Sequence, residues 1–139
     1  MNVSMADRIP AIKLLLLPKD TNAFGTIFGG VILSNIDLAS AVEARKMAPH
    51  RYVTRAMHEV EFHQPVYLGD IVSFYTETVK VGRTSITVRV SVEAERWGAV
   101  HEPRVAHGER VKVTEAVVVL VAVNDLGMAV PIRPEPLQA

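Results

Sequence analysis

The chain has 139 residues, 49% of them apolar and 22% charged, a balance that suits one folded domain over 1–139 and excludes disorder as the main state. Fifteen basic residues against fifteen acidic ones leave no net charge, which disfavours nucleic-acid and anionic-membrane partners and puts no long-range barrier before self-association. There are no cysteines, so disulfides, Cys-based zinc sites, Fe–S clusters and a thiol nucleophile are excluded, and a cytoplasmic protein is expected.

The first apolar run, residues 11–17, reads as a short strand that Pro18 ends. Its Leu14–Leu17 core is far short of the ~20 apolar residues of a membrane-spanning helix. The stretch Lys19 to Gly30, with Asp20, Asn22, Gly25, Gly29 and Gly30, reads as loop. Val31 to Met47 has helical composition, and Pro49 stops it. From Val53 onward the pattern is strand. Ile71–Val81 and Ser85–Glu95 form a hairpin with Val81-Gly82-Arg83-Thr84 as its tip. In the second of these strands Ile86, Val88, Val90, Val92 and Ala94 share one face and polar residues the other. Val111–Val123 ends in an unbroken apolar run, which predicts a central strand covered on both faces. The Pro-rich tail from Pro131 reads as loosely held. One helix with a set of long strands predicts an α+β domain, an antiparallel sheet packed on one helix.

The helix carries the chemistry. On a wheel of about 100° per residue, Gly30, Leu33, Ser34, Ser40, Ala41 and Ala44 lie within about 60° of Asp37. Almost all are small. Asn35, Glu43 and Lys46 lie more than a right angle away and read as the solvated stripe. A carboxylate among small residues, open to close approach, is a candidate base. Gly25-Thr26-Ile27-Phe28-Gly29-Gly30 runs straight into the helix, whose first N–H groups attract negative charge. It is neither a phosphate loop nor a dinucleotide fingerprint. Ser34 lacks a Gly-x-Ser-x-Gly context, so a serine nucleophile is unsupported. His58 and His63 are an odd number of residues apart on a strand, which points them to opposite faces and argues against a shared metal. No metal site is expected.

The segments Asp20-Thr21-Asn22-Ala23-Phe24-Gly25, Ile27-Phe28-Gly29-Gly30 and Ile36-Asp37 resemble the hotdog-fold acyl-CoA thioesterases. The resemblance is to YciA-like bacterial acyl-CoA hydrolases, relatives of the cytosolic brain-type enzymes. It continues through Phe62-x-x-Pro65-Val66-x-x-Gly69-Asp70, Val81-Gly82-Arg83-Thr84-Ser85-Ile86, Lys112-Val113-Thr114-Glu115-Ala116 and Val121-Ala122-Val123-x-x-x-Gly127, over roughly residues 14–133. Each piece is weak, and the ordered set is specific. It implies a curved antiparallel sheet wrapped around one long helix, and hydrolysis of an acyl-CoA to a free acid and CoA. It implies Asp37 as the catalytic carboxylate, Asn22 as an active-site Asn, and Gly29 and Gly30 as the oxyanion donors. It further implies Phe28, Gly82, Arg83, Thr84 and Ser85 as substrate- or CoA-binding positions, and dimers assembled further, often to hexamers as trimers of dimers. Phe24 departs from the pattern, where relatives often carry a polar residue, and bears on acyl preference.

The chemistry fits the residue types. Asp37 can activate water or attack the thioester itself, and helix N–H groups can hold the oxyanion. No metal or redox cofactor is needed, and CoA is part of the substrate. Gly30 and Asp37 are about 10 Å apart along the helix at ~1.5 Å per residue, too far to serve one carbon comfortably. Two antiparallel helices from two copies would join the Asp of one to the N-terminus of the other. Arg83, Arg89, Arg104, Arg110 and Lys112 are candidates for the CoA phosphates, with Arg83 first because it sits at a glycine turn. The rival readings are a hotdog dehydratase, which needs a His that residues 19–48 lack, and a non-catalytic acyl-CoA sensor, which carries an added DNA-binding segment.

Overall fold

The computed structural model describes residues 8–97 and 108–133; Arg104 lies outside them. Five strands, β1 (Ile12–Leu15), β2 (Arg51–Phe62), β3 (Ile71–Val81), β4 (Ser85–Arg96) and β5 (Glu109–Val123), form one sheet in the order β1-β3-β4-β5-β2. Every neighbouring pair is antiparallel. The helix α1 (Gly29–Met47) starts two residues earlier than composition suggests and packs across the sheet. No helix among the described residues is long and apolar enough to cross a membrane.

The alternation of β4 is realised in full. Ile86, Val88, Val90, Val92 and Ala94 are all inaccessible to solvent and meet Ile32, Ile36 and Ala39 of α1 in one core. Each of the buried valines and isoleucines contributes roughly 1.5–3 kcal/mol by leaving water, an alanine less. The hairpin tip also stands where expected, with Gly82 N–H donating to Ser85 O at 2.8 Å.

Three expectations are corrected. β5 is an interior strand of the sheet, but only one of its faces is covered within this chain. Thr114, Ala116, Val118, Leu120 and Ala122 are buried, while Val117, Val119 and Val121 on the outer face are only half-buried. Glu43 is not on a solvated stripe. It lies within about 20° of Ile36 and Ile32 on the wheel, so it points at the sheet. There Thr76 and Thr78 donate hydroxyl hydrogen bonds of 3.1 and 2.8 Å to its two carboxylate oxygens, as a buried charge requires. The start of the tail is docked: Ile132 is buried, its N–H donates to Arg83 O at 2.8 Å, and its carbonyl meets His50 Nε2 at 2.6 Å.

β2 lies at one edge of the sheet and carries two irregularities, after Thr54 and after His58. At the second, Glu59 has a φ of +52°, a left-handed conformation that disfavours any residue with a Cβ. Glu59→Gly removes that strain at the expense of extra unfolded-state freedom. It should raise stability by roughly 0.5 kcal/mol, read as a higher urea midpoint, whereas Glu59→Val should lower it.

Candidate active site

Phe28 precedes α1 with extended backbone, and no side chain caps the helix; no acidic residue occupies its first turn. By position, the N–H groups of Gly29 and Gly30 have no partner within the helix. The loop before them is fixed by its own bonds. Asn22 Oδ1 accepts from the N–H groups of Phe24 (2.8 Å) and Thr26 (3.2 Å), and its Nδ2 donates to Thr26 Oγ1 at 2.8 Å. Both polar atoms of Asn22 are therefore engaged in shaping the loop. Phe28 N–H donates to Asp20 O and Ile27 N–H to Val66 O, which ties the helix start to the segment after β2. That segment is held by a buried ion pair: Arg96 bonds Asp70 and also Pro65 O, and stacks on the Tyr67 ring.

A cavity of about 210 Å³ opens at the helix N-terminus. Gly29 lines it together with Ile27, Ile32, Phe62, Val66 and Thr114, among others. Gly30 does not. A Cβ on Gly30 would lie 2.4 Å from the Phe28 ring, so glycine here makes room for that ring. Phe28 itself is 58% exposed, and Phe24, 90% exposed, is not part of the cavity wall.

Asp37 is half-buried two turns into α1 and does not line this cavity. Its carboxylate accepts a hydrogen bond from the Thr54 hydroxyl of β2. The sequence reading missed Thr54. Its only signal was position, a hydroxyl near the start of the strand that returns along the helix. Ser40, on the Asp37 side of the wheel, spends its hydroxyl on Asp37 O at 2.7 Å.

The candidate residues thus fall into separate groups. Asn22, Phe28, Gly29 and Gly30 gather at the helix start, next to the Phe62–Thr114–Val92 rung of the sheet. Gly82, Arg83, Thr84 and Ser85 sit at the β3–β4 tip. Ser85 is seven residues from Val92, so the tip is roughly 23 Å away at ~3.3 Å per residue. Thr54, and with it Asp37, belongs to the Leu120–Ile86 rung, one residue from that tip along β4. One chain does not bring the three groups together.

His58 and His63 do not point to opposite faces, because the bulge at Glu59 lies between them. His58 pairs with Val117 and Glu61 with Glu115, so an extra β2 residue restores them to one face. His63 Nε2 then stands 3.7 Å from both Glu61 and Glu115, and the three ligand atoms lie within 4.8 Å of one another. The Lys112 ammonium already bonds Glu115 and, ahead of His63, holds its carboxyl below the usual range. This is an exposed ion-pair group with its own cation, and His58 is not part of it.

Known proteins share both the sequence and this architecture. A model of the thioesterase superfamily matches residues 24–98. The acyl-CoA thioester hydrolase YciA of Salmonella typhimurium is 39% identical over 127 residues, which are 91% of this chain and 90% of that one. A hexameric hotdog fold thioesterase of Campylobacter jejuni, Cj0915, is 44% identical with a TM-score of 0.81 over 89% of this chain and 90% of that one. HI0827, a hexameric broad specificity acyl-coenzyme A thioesterase, is 39% identical with a TM-score of 0.82 over 91% of this chain and 82% of that one. With a fold of one helix across a five-stranded antiparallel sheet and relatives of this closeness, the chain belongs to the hotdog-fold thioesterase superfamily, among the acyl-CoA thioester hydrolases.

Proposed function

We propose that the protein hydrolyses acyl-CoA to a free carboxylic acid and CoA, in a site shared by two chains. The observation that carries this is the uncapped start of α1 opening on a cavity that its own Asp37 does not reach. The thioester carbonyl oxygen sits at the N–H groups of Gly29 and Gly30 of one chain, where the helix end stabilises developing negative charge. Asp37 of a second chain faces the carbonyl carbon. It takes a proton from water as the new C–O bond forms. The C–S bond then breaks, and the proton passes to the departing CoA thiolate. Direct attack by Asp37, giving a mixed anhydride that water cleaves, uses the same groups. Thr54 keeps the carboxylate turned toward the reacting centre. Asn22 holds the loop that aims the helix start.

Two features support pairing of chains. β2 is a 12-residue strand at a sheet edge with no strand on its outer side among the described residues, and Leu38 and Val42 form an exposed apolar stripe on α1. A dimer as the active unit, assembled to a trimer of dimers as in the hexameric relatives, satisfies both. The exposed Arg83 at the hairpin tip is the proposed contact for a CoA phosphate. No cofactor or metal enters these steps, and the proposed location is the cytoplasm.

Release of free thiol from a panel of acyl-CoAs tests the reading. Turnover of at least one, with competitive inhibition by CoA that Arg83→Ala weakens about tenfold or more, is the expected result. Tight binding of acyl-CoA without any thiol release would make the protein a sensor instead.

A further inference from the structure

The β3–β4 tip is held from outside its own hairpin. Within the turn, Gly82 N–H donates to Ser85 O at 2.8 Å. The carbonyls of Arg83 and Thr84 are taken by other parts of the chain. Thr84 O accepts from Ala122 N–H of β5 at 2.9 Å, and Arg83 O from Ile132 N–H at 2.8 Å. Ile132 belongs to a strap that follows the turn after β5. Val130 N–H of this strap donates to Ala122 O at 2.9 Å, and the Ile132 side chain is buried in the core. His50 fastens the strap from the other side, with its Nε2 2.6 Å from Ile132 O. A carbonyl oxygen only accepts, so His50 Nε2 carries a proton and donates. The His50 ring stands edge-on to the Tyr52 ring at 6.0 Å, and the Tyr52 hydroxyl donates to Ala48 O where α1 ends. Ile132 is therefore a single link between the end of α1 and the backbone of Arg83.

Resting on the thioesterase reading above, with Arg83 as its CoA phosphate contact, we propose that His50 is a positioning residue for CoA: acting through Ile132, it holds the tip backbone from which the Arg83 guanidinium meets a phosphate. The chain of causes is short. Without the His50 donor, the carbonyl of a residue only 4% exposed loses its partner, an arrangement that folded chains avoid. The strap then shifts to bring that oxygen to water. The N–H of the same residue moves with it, away from Arg83 O, and the tip loses one of its two outside ties. Arg83 keeps its charge but not its fixed origin, so a charge-assisted bond that depends on direction weakens. The reacting groups do not hang on the strap. Asp37 is held by Thr54 of β2, and Gly29 and Gly30 lie at the other end of the helix, beside Phe62 and Phe28. The effect is thus confined to the part of the substrate that carries phosphates.

The test uses the intact full-length assembly and one acyl group, the one turned over fastest, carried either on CoA or on pantetheine, which keeps the thioester and the arm but has no phosphate. His50→Ala is expected to raise KM for the acyl-CoA, and the dissociation constant of free CoA measured by calorimetry, about fivefold or more, while kcat with acyl-CoA and kcat/KM with acyl-pantetheine stay within about twofold. His50→Gln, whose side-chain amide also donates, should restore most of the affinity. Arg83→Ala should lower the preference for CoA over pantetheine in the same direction. A role in the fold alone would weaken both substrates together. Equal losses on the two substrates, or an unchanged affinity for CoA in His50→Ala, overturn the proposal. If His50→Ala does not fold, Ile132→Ala, which loosens the strap at its buried side chain, decides by the same comparison, and an unchanged preference for CoA overturns it. If Arg83→Ala leaves the preference intact, the tip is not the CoA contact and the proposal falls with it. Absence of turnover on either substrate, with CoA binding still weakened in His50→Ala, would strike the thioesterase reading and leave the positioning role standing.

Discussion

Asp37→Ala is expected to lower kcat by at least two orders of magnitude on any good acyl-CoA substrate, with folding and assembly retained. The expected size of the loss follows from the role. A positioned base or nucleophile contributes about 10²–10⁴ to the chemical step. Glu43, the other acid of the helix interior, points into the sheet and is held there by Thr76 and Thr78. Retention of the fold follows from the surroundings. Asp37 is half-buried, its partner Thr54 is exposed, and the freed hydroxyl can turn to water. The stability cost should therefore stay within the usual range for a surface hydrogen bond, about 1 kcal/mol. Circular dichroism and size-exclusion chromatography check the fold and assembly, and thiol release checks the rate. A variant that keeps more than about a third of wild-type kcat removes Asp37 from the chemistry.

Much of this architecture was legible because the residues obey simple periods. The buried face of β4 follows from strict alternation, and the span of β3 from Gly69-Asp70 and Gly82-Arg83 at its ends. The helix was legible as a helix, but its two faces were assigned by polarity, and polarity misleads at Glu43. A charged residue is read as solvated unless partners are known, and those partners, Thr76 and Thr78, are more than thirty residues away in the chain. The bulge at Glu59 was invisible for a different reason. Glutamate gives no sign of a left-handed φ, so the face count beyond it slipped by one and His63 was assigned the wrong side. Thr54 was missed because a single hydroxyl on a strand has no pattern. Only the fold brings it against Asp37. The unbroken apolar run of β5 reads as two covered faces, and within the described residues one of them is open. That run is better understood if some of the cover comes from another copy.

Pairing of chains gives the last expected result. If each site takes its base from one copy and its oxyanion donors from another, two inactive variants should restore each other. The first is Asp37→Ala. The second must remove a donor without disturbing the helix, and Gly29→Pro fits best. Gly29 lines the cavity, whereas Gly30 lies under the Phe28 ring. A Cβ at Gly29 meets only Phe62, at an ordinary 3.6 Å. Proline suits the first helical position, where its missing N–H breaks no helical bond. It also demands an extended residue before it, and Phe28 already has φ −62° and ψ 129°. The two proteins are mixed in equal amounts, unfolded and refolded so that chains redistribute. A working site needs an intact Asp37 from one chain and an intact Gly29 from its partner, and random mixing gives each with a probability of one half. About a quarter of wild-type activity should return, in dimers and in hexamers built from them alike. Mass spectrometry of the assembly confirms the exchange. If exchange is complete and activity stays at the level of the separate variants, base and donors act within one chain, and the shared site is wrong.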